Sequence, residues 1–170
     1  MPKGLKQTSS LIVIGARVAE TAPSTFTQGR IDLQLNPLDN EVFVVQSIDL
    51  NVANPDALAG QNTSVSGALT TTSQTALPGL QDSPCMAVKE MAIRAAGFVD
   101  GGVGFESASM ETPPTGLDYI GIIATNDFFL QVQGNGNAGV KSIKCKVYGF
   151  RARADASIYA ALVQSELLSA

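Results

Sequence analysis

Apolar and polar residues take turns along most of this chain, and few patterns restrict a fold more. In "RIDLQLN", Ile31, Leu33 and Leu35 point one way and Arg30, Asp32, Gln34 and Asn36 the other. In "EVFVVQSIDLNVANP", Ile48, Leu50 and Val52 oppose Ser47, Asp49 and Asn51. A period of two belongs to a strand with one wet face and one dry face. Pro55 comes next and helps end the second of these strands. Further strands are predicted at 10–18, 63–72, 86–95, 103–109, 117–124, 128–133 and 140–151. The Thr-rich "ALTTTSQT" has β-branched residues but little apolar bulk, so an edge or exposed strand is expected there. "AVKEMAIRAA" contains good helix formers but is flanked by strands, and is assigned to a strand.

Turn chemistry separates the runs. "NPLDN", "ANPDALAG", "LPGLQDSP", "DGGVG", "TPPTG" and "GNGNAG" are clusters of Gly, Pro, Asn and Asp. "QGNGNAG" contains Asn-Gly, which tolerates positive φ, and reads as a hairpin between the last two strands. Pro113-Pro114 marks a loop. Many short strands with frequent turns give an all-β fold, and two antiparallel sheets packed face to face bury the dry faces most simply. An eight-stranded jelly roll fits the strand count. An immunoglobulin-like sandwich competes, but the chain has no Trp and so lacks the Cys-Trp-Cys core.

A chain of 170 residues makes one domain. No repeat or composition shift marks a second. The expected organisation is a flexible N-terminal arm at 1–9, a β-sandwich at 10–153, and a C-terminal helix at 154–170. Lys3 and Lys6 ahead of "LIVIGA" imitate a secretion signal, but the apolar run is short and Arg17 interrupts its continuation. No run approaches the ~20 apolar residues that cross a bilayer, so a soluble, unprocessed protein without membrane contact is expected. Cys85 and Cys145 lie far apart and form no metal-binding spacing. Cys145 alternates with Ile143 and Val147 and is expected to be buried.

The end of the chain, "VKSIKCKVYGFRARADASIYAALVQSELLSA", turns from an alternating basic run into helical spacing. Ile143, Cys145 and Val147 share one face and Lys144, Lys146 and Tyr148 the other. Asp155 or Ser157 is placed to cap a helix. Within it Ile158 and Leu162 form a stripe with Ser165, beside Tyr159 and Val163. About three turns are marginal alone in water. The helix must therefore dock, through Ile158, Tyr159 and Leu162, on its own sandwich or on a neighbouring copy.

Charge is sparse at 15% and uneven. Residues 1–17 carry Lys3, Lys6 and Arg17 and no acid, while residues 139–170 carry Lys141, Lys144, Lys146, Arg151 and Arg153 against Asp155 and Glu166. Most acids fall between. Lys3, Lys6, Lys141, Lys144, Lys146, Arg151 and Arg153 are therefore candidate contacts to nucleic acid or to another subunit. The plainer reading is a solvated strand face.

Enzyme signatures are missing. With no His in the chain, Ser-His-Asp and Cys-His arrangements are excluded. The acids are scattered singly rather than paired. "LIVIGARVAE" offers only Gly15 where a dinucleotide-binding turn needs three glycines. "NTS" at Asn62 matches a glycosylation pattern, and "DNE" at Asp39–Glu41 supplies too few Ca²⁺ ligands. No cofactor is expected.

Over its last 30 or so residues, "CKVYGFRARADASIYAALVQSELLS", the chain resembles small structural proteins of uncultured marine viruses. The resemblance implies a virion component, a capsid protein of the single jelly-roll kind, assembling in a host cytoplasm with copies of itself and other virion proteins. A shell, a decoration and a tail protein are all compatible with it. Composition agrees, because neutral hydrogen-bonding surfaces suit packing against other proteins. The competing class is a carbohydrate-binding sandwich, which needs exposed aromatics; Tyr119, Tyr148 and Tyr159 are a thin supply.

Overall fold

The structure is a computed structural model, and it describes residues 2–97, 105–108 and 117–168. The chain forms two five-stranded antiparallel sheets packed face to face, with one C-terminal helix. The strands are β1 (Leu5–Gln7), β2 (Ile12–Ala19), β3 (Thr27–Asp32), β4 (Glu41–Val52), β5 (Thr63–Thr70), β6 (Cys85–Arg94), β7 (Phe105–Ala108), β8 (Gly121–Ile123), β9 (Asp127–Asn135) and β10 (Ser142–Ala154). The helix α1 spans Ala156–Leu168. The front sheet is ordered β1-β10-β4-β8, with β2 beside β1 on the same edge of β10; the back sheet is β3-β9-β5-β6-β7.

The pairing is nested. β2 pairs with β10, β3 with β9, β4 with β8 and β5 with β6. The chain is thus one long antiparallel hairpin with its apex between β5 and β6. Rolling it up joins β10 to β4 in front and β9 to β5 behind, so the two halves of the hairpin alternate along β2-β10-β4-β8 and along β3-β9-β5-β6, with β7 added at the edge beside β6.

The inner faces carry the predicted alternation. Ile48, Leu50 and Val52 of β4 and Ile143, Cys145 and Val147 of β10 meet Val65, Leu69, Phe128, Leu130 and Val132 from the back sheet. Burying such side chains is worth about 1.5–3 kcal/mol each. The Cys145 thiol, expected to be buried, is pushed up to about 11 by that burial. Between Ser47 and Val45 the register to β10 shifts by one residue, leaving Gln46 unpaired. This bulge flips the parity of β4, so Phe43 and Val45 also face inward while Val42 and Val44 face outward.

That outward pair begins a second core. Val42, Val44, Ala124, Phe150, Ala152 and Ala154 form an apolar patch on the outer face of the front sheet, and Ile158, Tyr159, Leu162 and Val163 of α1 cover it. The helix therefore docks on its own sandwich. Glu166, late in the helix where the dipole disfavours an acid, is buried and accepts the N–H groups of Ala124 (2.8 Å) and Thr125 (3.0 Å).

Three expectations are corrected. Residues 5–7 of the expected flexible arm are a strand on β10, with Leu5 packed under α1 and Thr8 N–H donating to Arg151 O at 2.9 Å. Of the Thr-rich segment only residues 68–70 are strand, the end of β5, which is central rather than an edge, and 71–75 lie beyond it. Thr70 there is fully buried, because its hydroxyl donates to Thr72 O and accepts from Gln131 Nε2 at 2.7 and 2.6 Å. "QGNGNAG" does turn the chain, with Gly136 at φ 72°, but β9 and β10 lie in different sheets and are not paired. Its turn is a crossing between layers. Of the strand predicted at 103–109, residues 105–108 are seen as β7; the rest of it, and the loops at 100–104 and 112–116, lie outside the described residues.

Candidate interaction surfaces

The candidate basic residues occupy three different settings. Lys141 stands where the chain enters the front sheet, and its Nζ contacts Asp56 Oδ1 at 2.7 Å. Lys141, and then the N–H of Ala138, hold the Asp56 carboxyl below the usual carboxylate range. Asp56 N–H in turn donates to the Asn137 side chain at 2.9 Å, and Thr63 Oγ1 donates to Asp56 O at 2.6 Å. Lys141 therefore works inside the molecule, tying the loop after β4 to the β9–β10 crossing. A carboxyl with a depressed folded pKa stabilises above its unfolded pKa and loses that contribution as pH falls through the folded value. Asp56→Asn is accordingly expected to melt lower than the parent at neutral pH, with the gap narrowing as pH falls from about 5 through the ordinary Asp pKa of about 4 and below. Melting curves across that range check it, and a gap that does not change with pH contradicts it.

Arg151 is also engaged internally. Its guanidinium contacts Glu41 Oε2 (3.1 Å) and donates to the carbonyls of Leu33 (2.7 Å) and Gln34 (3.2 Å). It thereby pins the chain after β3 to β10. Arg153 is exposed and pairs with Asp39 at 2.8 Å; Lys6 lies opposite it in register on one side and Glu41 on the other. Asp39 and Glu41, considered above as cation ligands, are thus partners of the two arginines. Lys3 and Lys6 are exposed.

Lys144 and Lys146 sit in the third setting. Their outward row on β10 continues through Tyr148 to Phe150, Ala152 and Ala154. One end of a single strand face is therefore wet and basic, and the other is sealed by α1. Ile158, Tyr159 and Leu162, considered as subunit contacts, are spent on that seal. Sequence periodicity shows that such a helix must dock; only the β4 bulge shows where, because it turns Val42 and Val44 outward.

Beside the last turns of α1 lies an open groove of about 780 Å³, lined among others by Cys85, Met86, Ile120, Ile122, Leu162 and Leu168. The Cys85 thiol is pushed up, chiefly by burial. On the outside of the back sheet Ser64, Ser66, Gln133 and Asn135 line a polar hollow of about 360 Å³. Among the described residues no group of three or more His, Cys, Asp or Glu could hold a metal ion, and no helix is long and apolar enough to cross a membrane. Asn62 uses its side-chain oxygen to accept the N–H groups of Ala95 and Ala96, both at 3.0 Å.

Sequence reasoning passed over Glu20. It is 5% exposed, and its carboxylate accepts the N–H groups of Thr25 (3.1 Å), Gly134 (2.6 Å) and Lys141 (2.8 Å). It closes one end of the sandwich by holding the β2–β3 loop, β9 and the start of β10 together. An acid directly after an apolar alternating strand was the only signal. Comparison with family models, with curated proteins and with solved structures gives no match for this chain.

Proposed function

We propose that the chain is a structural virion protein that self-assembles, a coat protein built as a single jelly roll. The observation that carries this reading is the nested pairing of early strands with late ones, β2 with β10 and β3 with β9, rolled into two sheets. That is the strand arrangement expected of a jelly roll, whose doubled Greek keys serve as tiling units in capsids. Further support comes from the resemblance of the last residues to small marine viral structural proteins. The low charge content of 15% also suits surfaces that are covered in an assembly. Its partners are copies of itself, with packaged nucleic acid as a further contact; it works in the virion after assembly in a host cytoplasm, and it needs no cofactor and no catalytic residue.

Because one fold hosts many functions, the test reads assembly directly. Purified protein is examined by analytical ultracentrifugation and negative-stain electron microscopy across salt and pH. Uniform closed particles or large symmetric oligomers are expected. A monodisperse monomer at high concentration under every condition rules the proposal out. A decoration or tail protein would instead give small rings or trimers. The polar hollow on the back sheet favours a second reading, a carbohydrate-binding module, and binding on a glycan array by a protein that stays monomeric would select it.

A further inference from the structure

The exposed end of the front sheet brings together cations that lie far apart in the chain. Arg17 of β2 and Lys144 of β10 are directly opposite in register, with Asn51 of β4 on the other side of Lys144. The next outward row is Gly15, Lys146 and Asp49, and the row after it Val13, Tyr148 and Ser47. Like charges directly opposite destabilise a sheet. The Arg17–Lys144 row contains no acid to offset this. Arg17, Lys144 and Lys146 are all exposed, and among the described residues none of them forms an ion pair. The contrast is with Lys6 and Arg153, whose row ends in Glu41 and which Asp39 joins at 2.8 Å. Arg153 is held by an acid within the fold, whereas the Arg17–Lys144 row is left to attract an external anion.

We infer that this face binds single-stranded nucleic acid along β10, with Arg17, Lys144 and Lys146 holding the phosphates and Tyr148 meeting a base. Residues two apart on a strand are separated by roughly 7 Å, which suits neighbouring phosphates of an extended single strand. Tyr148 comes after Lys146 at the same interval on the same face and is half-buried, so its ring is held in place. Basic residues beside an aromatic platform are the elements of sequence-tolerant single-strand binding. An acidic protein surface would satisfy the cations and leave the ring without a stacking partner. The inference deepens the coat-protein reading, which identifies the ligand as packaged genome, but the binding itself needs no assembled particle.

The test is fluorescence anisotropy of the full chain with a short labelled oligodeoxythymidine, titrated at several salt concentrations. Three phosphate contacts give a slope of log K against log salt of about −2 for a single strand. Each single change, Arg17→Gln, Lys144→Gln or Lys146→Gln, is expected to make the slope shallower by about 0.7. The triple variant should bring it near zero. Tyr148→Ala is expected to weaken binding at least about fivefold without changing the slope. A Lys3→Gln, Lys6→Gln double variant should leave both quantities unchanged. The glutamine variants relieve repulsion, so they should melt no lower than the parent, and the single variants decide the matter if the triple does not fold. Absence of binding at low salt overturns the inference, as does a slope untouched by the triple change. So does polyglutamate binding as tightly as the oligonucleotide with Tyr148→Ala indifferent, which would assign the face to an acidic protein. Particle formation is scored on the same preparations, so loss of assembly with binding intact counts against the coat-protein reading alone.

Discussion

A chain ended after Asp155 is expected to melt on the order of 10 °C lower than the full protein and to become prone to aggregation. The reason is the second core. Without α1, the outward face formed by Val42, Val44, Phe150 and Ala152 has no cover. Four helix side chains, Ile158, Tyr159, Leu162 and Val163, pack there while only partly buried. At about half the value of full burial, together they contribute roughly 4 kcal/mol. For a domain of this size each 1 kcal/mol moves the melting temperature by about 2–4 °C. The inner core shares none of those helix residues, so the truncated sandwich should keep its β-sheet circular dichroism while binding a hydrophobic dye. Calorimetry, dye fluorescence and sedimentation read the three effects. Unchanged melting and unchanged solubility would mean that the helix contributes nothing to its own sandwich.

Replacing Glu20 with Ala is expected to be the most damaging single polar substitution. The carboxylate receives three backbone N–H groups, those of Thr25, Gly134 and Lys141. Each buried donor left without an acceptor costs about 1–3 kcal/mol. Thr25 can recover water, being half-buried, whereas Gly134 is buried. The net loss is about 3–5 kcal/mol, or roughly 10 °C or more in melting temperature. Glu20→Gln keeps one oxygen but turns an N–H₂ group toward a backbone donor, and it should lose about half as much. Thermal unfolding of both variants checks the order. If the two melt alike and close to the parent, the carboxylate is not the clasp of that end.

The strands were legible because burial imposes their period. Ile48, Leu50, Val52, Ile143, Cys145 and Val147 all face the core as their alternation requires. Partnership was not legible, because no local signal tells β10 to sit between β4 and β2. The Asn-Gly pair at Asn135–Gly136 reports that the chain turns, and a turn between layers uses the same left-handed glycine as a hairpin. Thr70 shows a related limit. Its weak hydrophobicity argued for exposure, but hydroxyls that bond to Thr72 O and Gln131 satisfy themselves in the middle of a sheet. For the basic residues, the charge tally grouped Lys141, Lys144, Lys146, Arg151 and Arg153. Register then separates Lys141 and Arg151, which hold loops, from Lys144 and Lys146, which face solvent beside Arg17.

The nested order of pairing also governs the course of biosynthesis. β10 is the central strand of the front sheet, flanked by β2 and β4, yet it is translated after every other described strand. Until it emerges, β2 has no partner among the described strands, and β4 has among them only the three residues of β8, made late themselves. Non-local closure of this kind is slow, and unpaired edges waiting for it invite pairing between nascent chains. Closure of the front sheet therefore waits until β10 has left the ribosome. At high expression, crowding among half-made chains becomes the principal hazard to yield.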